Sequence, residues 1–270
     1  MNKILIYFTA FLPFITSCEF KDDSEKVFLI TLDGVRWQEL FTGADSLLIN
    51  ESTYCKNMGY LKVKYWDADP NKRREMLTPF LWNEVAKNGQ LHGNRTLDNK
   101  VNMTNRHWFS FPGYSEILCG FADDQRVNSN AKISNPNKTI LEITNDLPEF
   151  KGKVGAFASW DAFPYIVNVE RSGLVVNAGY NDAVGNDLTE KDKYLNVLQR
   201  QAIQPWAAVR QDAFTHNFAF EYIKRKQPKL MCISYGETDA FAHEGDYQHY
   251  LFSIENTDKM IAQLWSYCQS

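Results

Sequence analysis

The sequence contains no Cys-x-x-Cys pair among its five cysteines, which excludes the common zinc-ribbon and thioredoxin-type readings. It has no basic excess either. Lys and Arg number 29 against 33 Asp and Glu, a formal net charge of −4, so there is no nucleic-acid-binding surface to expect. Acidic side chains are instead available to hold cations. No internal repeat or low-complexity tract occurs, which removes repeat architectures from consideration. The apolar N-terminal run from Ile4 to Ile15 falls short of the roughly 20 residues that a membrane-spanning helix needs.

What is present suits a folded α/β chain. With 270 residues, 44% of them hydrophobic and 14% aromatic, a sizeable core can form in one large or two small domains. Met1-Asn2-Lys3, the run to Ile15 and Ile15-Thr16-Ser17-Cys18 resemble a bacterial lipoprotein signal, with cleavage before Cys18 and lipid on its thiol. A buried N-terminal strand is the alternative. On the signal reading, residues 1–17 are removed, and the charged stretch 18–26 tethers the domain 27–270 to lipid at the cell envelope. Cys55, Cys119, Cys232 and Cys268 then remain, and four cysteines allow three full pairings. Cys119 and Cys232 lie in apolar runs and read as buried free thiols.

Two continuous apolar, β-branched runs, 27–32 and 229–235, read as strands covered on both faces, as in a parallel sheet. Further strands are expected at 153–159 and 174–177. Helices are expected at 35–41, 73–88, 138–147, on either side of Pro205, and at 246–265. The segment from 42 to about 71 gives no clear period, and 160–190 reads as an insertion or cap over the sheet edge. The expected class is α/β, a mostly parallel central sheet flanked by helices. In such sheets ligands gather beyond the carboxyl ends of the strands.

Three stretches carry the chemistry. Asp33 directly follows the first strand, beside Gly34; it either caps the next helix or holds a ligand. Ser110 opens Ser-Phe-Pro-Gly-Tyr114, where Pro in the first turn permits a helix and the serine stands at its positive end, either as an ordinary N-cap or as a nucleophile facing an anion. Asp239 and His243 are four residues apart, so one helical turn puts carboxylate and imidazole on one face. That pair serves as a simple hydrogen bond or as ligands suited to zinc or manganese.

Taken together and in order, Leu32-Asp33-Gly34, Ser110-Phe-Pro-Gly-Tyr and Gly236-Glu-Thr-Asp239 followed by Ala242-His243-Glu244-Gly245 resemble the alkaline phosphatase superfamily. The likeness is closest to its phosphodiesterase and phosphoglycerate-mutase-like branch, and it runs from about Val27 to the chain end. It implies two divalent metal ions, zinc first and manganese second: Asp33 would bind one, Asp239 and His243 the other, and Ser110 would bridge both. Ser110 would attack a small phosphate ester and form a phosphoserine that water releases. Asn130, with Asn128 second, would hold a phosphate oxygen. Tyr114 occupies the place where sulfatases carry Arg in their Cys/Ser-x-Pro-x-Arg pattern, so the serine is expected to stay a serine.

The family usually adds an Asp-His pair after a further strand and then a later His. No Asp-His dipeptide occurs here, so the expectation is an alkaline-phosphatase-like core lacking its last strands, as a fragment, a truncated product or a degenerate homologue. His249 falls on the last expected helix, and His92, His107 and His216 read as surface or core residues, with His107 near enough in sequence to Ser110 to line its pocket. Two further hypotheses compete with the metallohydrolase: a non-catalytic surface lipoprotein that uses the fold to bind a ligand, and an unrelated α/β domain.

Overall fold

The two apolar runs become adjacent strands. In the computed structural model, which describes residues 25–270, β1 (Val27–Leu32) lies parallel to β4 (Leu230–Tyr235), with Val27 opposite Leu230 and Leu32 opposite Tyr235. β2 (Val154–Ala158) pairs with the other side of β4, and β3 (Val175–Ala178) forms the far edge. The result is a four-stranded parallel sheet in the order β1-β4-β2-β3. The expected signal, Cys18 and most of the expected tether lie outside the described residues.

The inner strands serve two layers at once. Along β2, Val154, Ala156 and Ala158 join one core cluster while Phe157 joins the other. Along β4, Cys232 belongs to the first and Met231, Ile233 and Tyr235 to the second. This is the two-residue alternation of a strand applied to a sheet covered on both faces, so both sets are apolar and no polar stripe appears. The helices Ser110–Cys119 and Ile140–Asp146 cover the first face with Phe111, Leu118 and Leu141. The helix Asp212–Lys226 and the end of Tyr247–Gln269 cover the second with Phe218, Ile223 and Leu264. Each such side chain stabilises the fold by about 1.5–3 kcal/mol relative to an exposed one.

A third cluster stands off the sheet and explains the stretch without a period. Ile49, Cys55, Leu61 and Tyr65 pack on Tyr247, Tyr250, Leu251 and Ile254 of the last helix. The helix Met58–Tyr65 forms inside that stretch, started by the Asn57 side chain, which accepts from the Tyr60 N–H at 3.2 Å.

One expectation needs correction. The helix expected over 73–88 is two pieces. Pro70–Leu77 ends at Thr78 because Pro79 offers no N–H to continue it. The chain restarts there, and Asp258 of the last helix accepts the Phe80 and Leu81 N–H groups at 2.8 and 3.0 Å. Residues 160–190 hold the strand expected at 174–177, as the edge strand β3, and bury Ala162, Phe163, Ile166 and Val167 in the first core layer. Cys55, Cys119, Cys232 and Cys268 are all free thiols, Cys55 and Cys232 buried. No helix among the described residues is long and apolar enough to cross a membrane.

Candidate functional site

β1 and β4 are parallel neighbours, so their carboxyl ends deliver Asp33 and the segment Gly236–Asp239 to the same edge of the sheet. The contact between them is close. The Thr238 hydroxyl donates to the Asp33 carbonyl. Gly34 has a left-handed φ of +72°, and the Cβ it lacks would stand 2.6 Å from Asp239 Cα. Only glycine allows the loop after β1 to lie against the helix Glu237–His243 in this way.

Ser110 reaches the same edge from another direction. It is the first residue of the helix Ser110–Cys119, with Phe109 as an extended N-cap and Gly120 closing the far end in left-handed conformation. Its Oγ donates to Asp33 Oδ1 at 3.2 Å. Asp239 Oδ2 lies 3.5 Å from His243 Nε2 one helical turn on, and the His243 side chain is 80% exposed. The structure therefore brings Asp33, Ser110, Asp239 and His243 to one locus, with the imidazole on its solvent side.

The asparagines differ. Asn130 Oδ1 accepts the Phe111 N–H at 3.0 Å and so pins the start of the helix Ser110–Cys119. Asn128 is exposed and donates only locally, to the Gln125 carbonyl at 3.5 Å. The expected free N–H groups at this helix start are mostly spent. Phe111's goes to Asn130, Pro112 has none, and Gly113's goes to the Phe109 carbonyl at 3.3 Å. The helix dipole remains, with few free N–H groups to support it.

Electrostatics point the same way. Burial, and next the Asp239 carboxylate, push the Asp33 carboxyl up to about 6, against hydrogen bonds from Ser110 and Tyr114 that pull it down. Burial also raises Asp239, and His243 opposes that rise. Asp33, raised by burial and by its carboxylate neighbour, sits in a locus short of positive charge. The serine hydroxyl, the two carboxylates and the imidazole are each donors of a type that zinc and manganese accept. Among the described residues no three His, Cys, Asp or Glu side chains cluster as a ligand set.

Sequence reasoning missed the supports. Tyr114 lies one turn after Ser110, hydrogen-bonds Asp33 and accepts from Ser234 Oγ at 2.9 Å. Its spacing from Ser110 was the available signal. Asp212 gave none. It is fully buried and accepts from Ser159 Oγ at 2.6 Å, the Gly236 N–H at 2.7 Å and the Glu237 N–H at 3.2 Å, which caps the helix carrying Asp239 and His243. The other histidines are occupied elsewhere. His107 faces the Asp124 carbonyl, His216 is buried between Tyr235 and Gln263, and His249 bonds Asp246. Comparison with known proteins finds no family, no curated relative and no solved structure that matches the chain.

Proposed function

We propose that the chain is a metal-dependent phosphoric ester hydrolase of the alkaline phosphatase type, its core short of that superfamily's last strands, anchored by lipid on Cys18 at the cell envelope. One observation carries the reading: the Ser110 hydroxyl is hydrogen-bonded to Asp33 at 3.2 Å beside a second carboxylate–imidazole pair, at the carboxyl edge of a parallel sheet. Asp33 and Ser110 would hold one divalent cation, and Asp239 and His243 the other. Bound there, the cations would supply charge that lowers the serine's pKa and stabilises the entering and leaving oxygens.

The chain's own residues do the rest. Asp33 orients the Ser110 hydroxyl through its Oδ1, and the hydroxyl proton passes to water. Ser110 Oγ then bonds phosphorus as the ester P–O bond breaks and the electron pair leaves with the departing oxygen. Water releases the phosphoserine. Asn130 holds the helix start so that Ser110 does not turn away, and Asp212 fixes the opposite wall.

A second reading, a non-catalytic surface lipoprotein that binds a ligand at this edge, draws support from the exposure of His243. Turnover of nitrophenyl phosphate mono- and diesters with added zinc or manganese separates the two. The hydrolase reading expects metal-dependent turnover that falls by orders of magnitude in Ser110→Ala. Turnover unchanged by that substitution, or none with either metal, would overturn it.

A further inference from the structure

Beside Asp239 and His243 the surface opens into a cavity of about 420 Å³, at the small end of the roughly 300–1,000 Å³ usual for small-molecule pockets. Asp239 and His243 form part of its wall, whereas Ser110 and Asp33 do not. The cavity therefore opens on the Asp239–His243 side of the site. Arg36 and Asp246 also line it, but most of the remaining wall is carbon, from Leu48, Tyr54, Tyr247 and Tyr250.

The tyrosines explain why. Tyr247 and Tyr250 are buried and stacked, ring centres 5.7 Å apart and planes 21° apart. Their hydroxyls are spent on the chain beneath. Tyr250 accepts from the Arg36 N–H at 2.9 Å and donates to the Gly34 carbonyl at 3.2 Å. Tyr247 accepts from the Asp45 N–H at 2.6 Å and donates to Glu39 at 2.8 Å. What these rings offer the cavity is their apolar surface. Tyr54 is 39% exposed, and its ring lies over Gly245, whose missing Cβ would stand 3.5 Å from it.

We propose that this cavity receives the leaving group of the ester, and that the group is a flat apolar ring rather than a polyol. The inference rests on the phosphoester reading of the Ser110 site. In-line displacement puts the departing oxygen opposite the attacking one, and the ring-lined cavity begins on the Asp239–His243 side. As Ser110 Oγ bonds phosphorus, the P–O bond to the ring breaks. The oxygen leaves with the electron pair and takes its proton from water. Rings welcome rings here for ordinary reasons, apolar area removed from water and offset or edge-on stacking.

The test is equilibrium binding by ligand-observed NMR to the full chain as Ser110→Ala with zinc, using 2-naphthyl phosphate, glycerol 2-phosphate and 2-naphthol. Naphthyl phosphate is expected to bind about tenfold tighter than glycerol phosphate, the effect of one buried, stacked ring. Adding Tyr54→Ala should remove most of that advantage and leave glycerol phosphate unchanged, while Tyr54→Phe should keep it. Equal binding of the two esters, unmoved by Tyr54→Ala, overturns the ring cavity and leaves the phosphoester reading intact. Naphthol bound with the same Tyr54 dependence supports the ring cavity even where wild-type chain hydrolyses neither ester, a result that counts against the phosphoester reading alone.

Discussion

Gly34→Ala tests the seam on which the site is built. At φ +72° a side chain meets the left-handed penalty, about 1–2 kcal/mol. The new Cβ would also stand 2.6 Å from Asp239 Cα, where ordinary contact begins at 3.4 Å, so the loop after β1 and the helix Glu237–His243 must part by roughly 0.8 Å. The obstructing atoms belong to backbone and Cβ, which cannot swing aside as the tip of a long side chain can. Strain and lost packing together should cost on the order of 2–4 kcal/mol, or about 5–15 °C in Tm for a domain of this size. A displacement approaching 1 Å between Asp33 and Asp239 should lower kcat/KM by about 100-fold. Thermal unfolding and aryl phosphate turnover with zinc would be measured side by side. Gly59→Ala is the control, since nothing lies within 4 Å of its added Cβ; it should be neutral or stabilising by up to about 1 kcal/mol. Wild-type Tm and turnover in Gly34→Ala would refute the abutment of the two segments.

Divalent cation binding should raise the stability of the full chain, by about 2.7 kcal/mol at a hundredfold excess over Kd. Asp239→Asn and His243→Ala should each cut that gain by more than half in thermal shift against a chelator, and an undiminished shift in both would place the cation elsewhere. His216 sets an acid limit that is independent of the site. Burial lowers its pKa, and it is held by the Tyr235 hydroxyl at 2.9 Å and Gln263 at 3.1 Å. Below about pH 6.5 the unfolded chain takes the proton first, so stability falls until the folded imidazole also titrates. His216→Gln should flatten that fall in urea unfolding between about pH 8 and pH 5; an equal fall in both chains would contradict it.

Where the sequence was legible, each segment's signal was its own. The runs 27–32 and 229–235 are mostly apolar because both faces of β1 and β4 carry packed side chains, and that pattern locates Asp33 and Asp239 just past strand ends without any coordinates. The helix behind Ser110 is legible for the same reason, through Pro112, Tyr114 and Leu118. Illegible features depend on distant partners. Met58–Tyr65 shows no period because its buried residues answer to Tyr247, Tyr250 and Ile254, nearly two hundred positions away. Pro79 was passed over inside a helical pattern because the group that restarts the helix, Asp258, is equally remote. Within the site, Asp212 is an ordinary acid at the head of a helix until the fold sets it under Gly236 and Glu237.

The central claim, that Ser110 is the atom donor to phosphorus, is tested most directly by trapping. Full chain with zinc would be mixed with an aryl phosphate, quenched in acid and digested, and the peptide containing 109–120 read by mass spectrometry. The account predicts phosphate on Ser110, at a level that rises with substrate and vanishes in Ser110→Ala. Sustained turnover with Ser110 unmodified at every quench time, or phosphate on another residue, would contradict it.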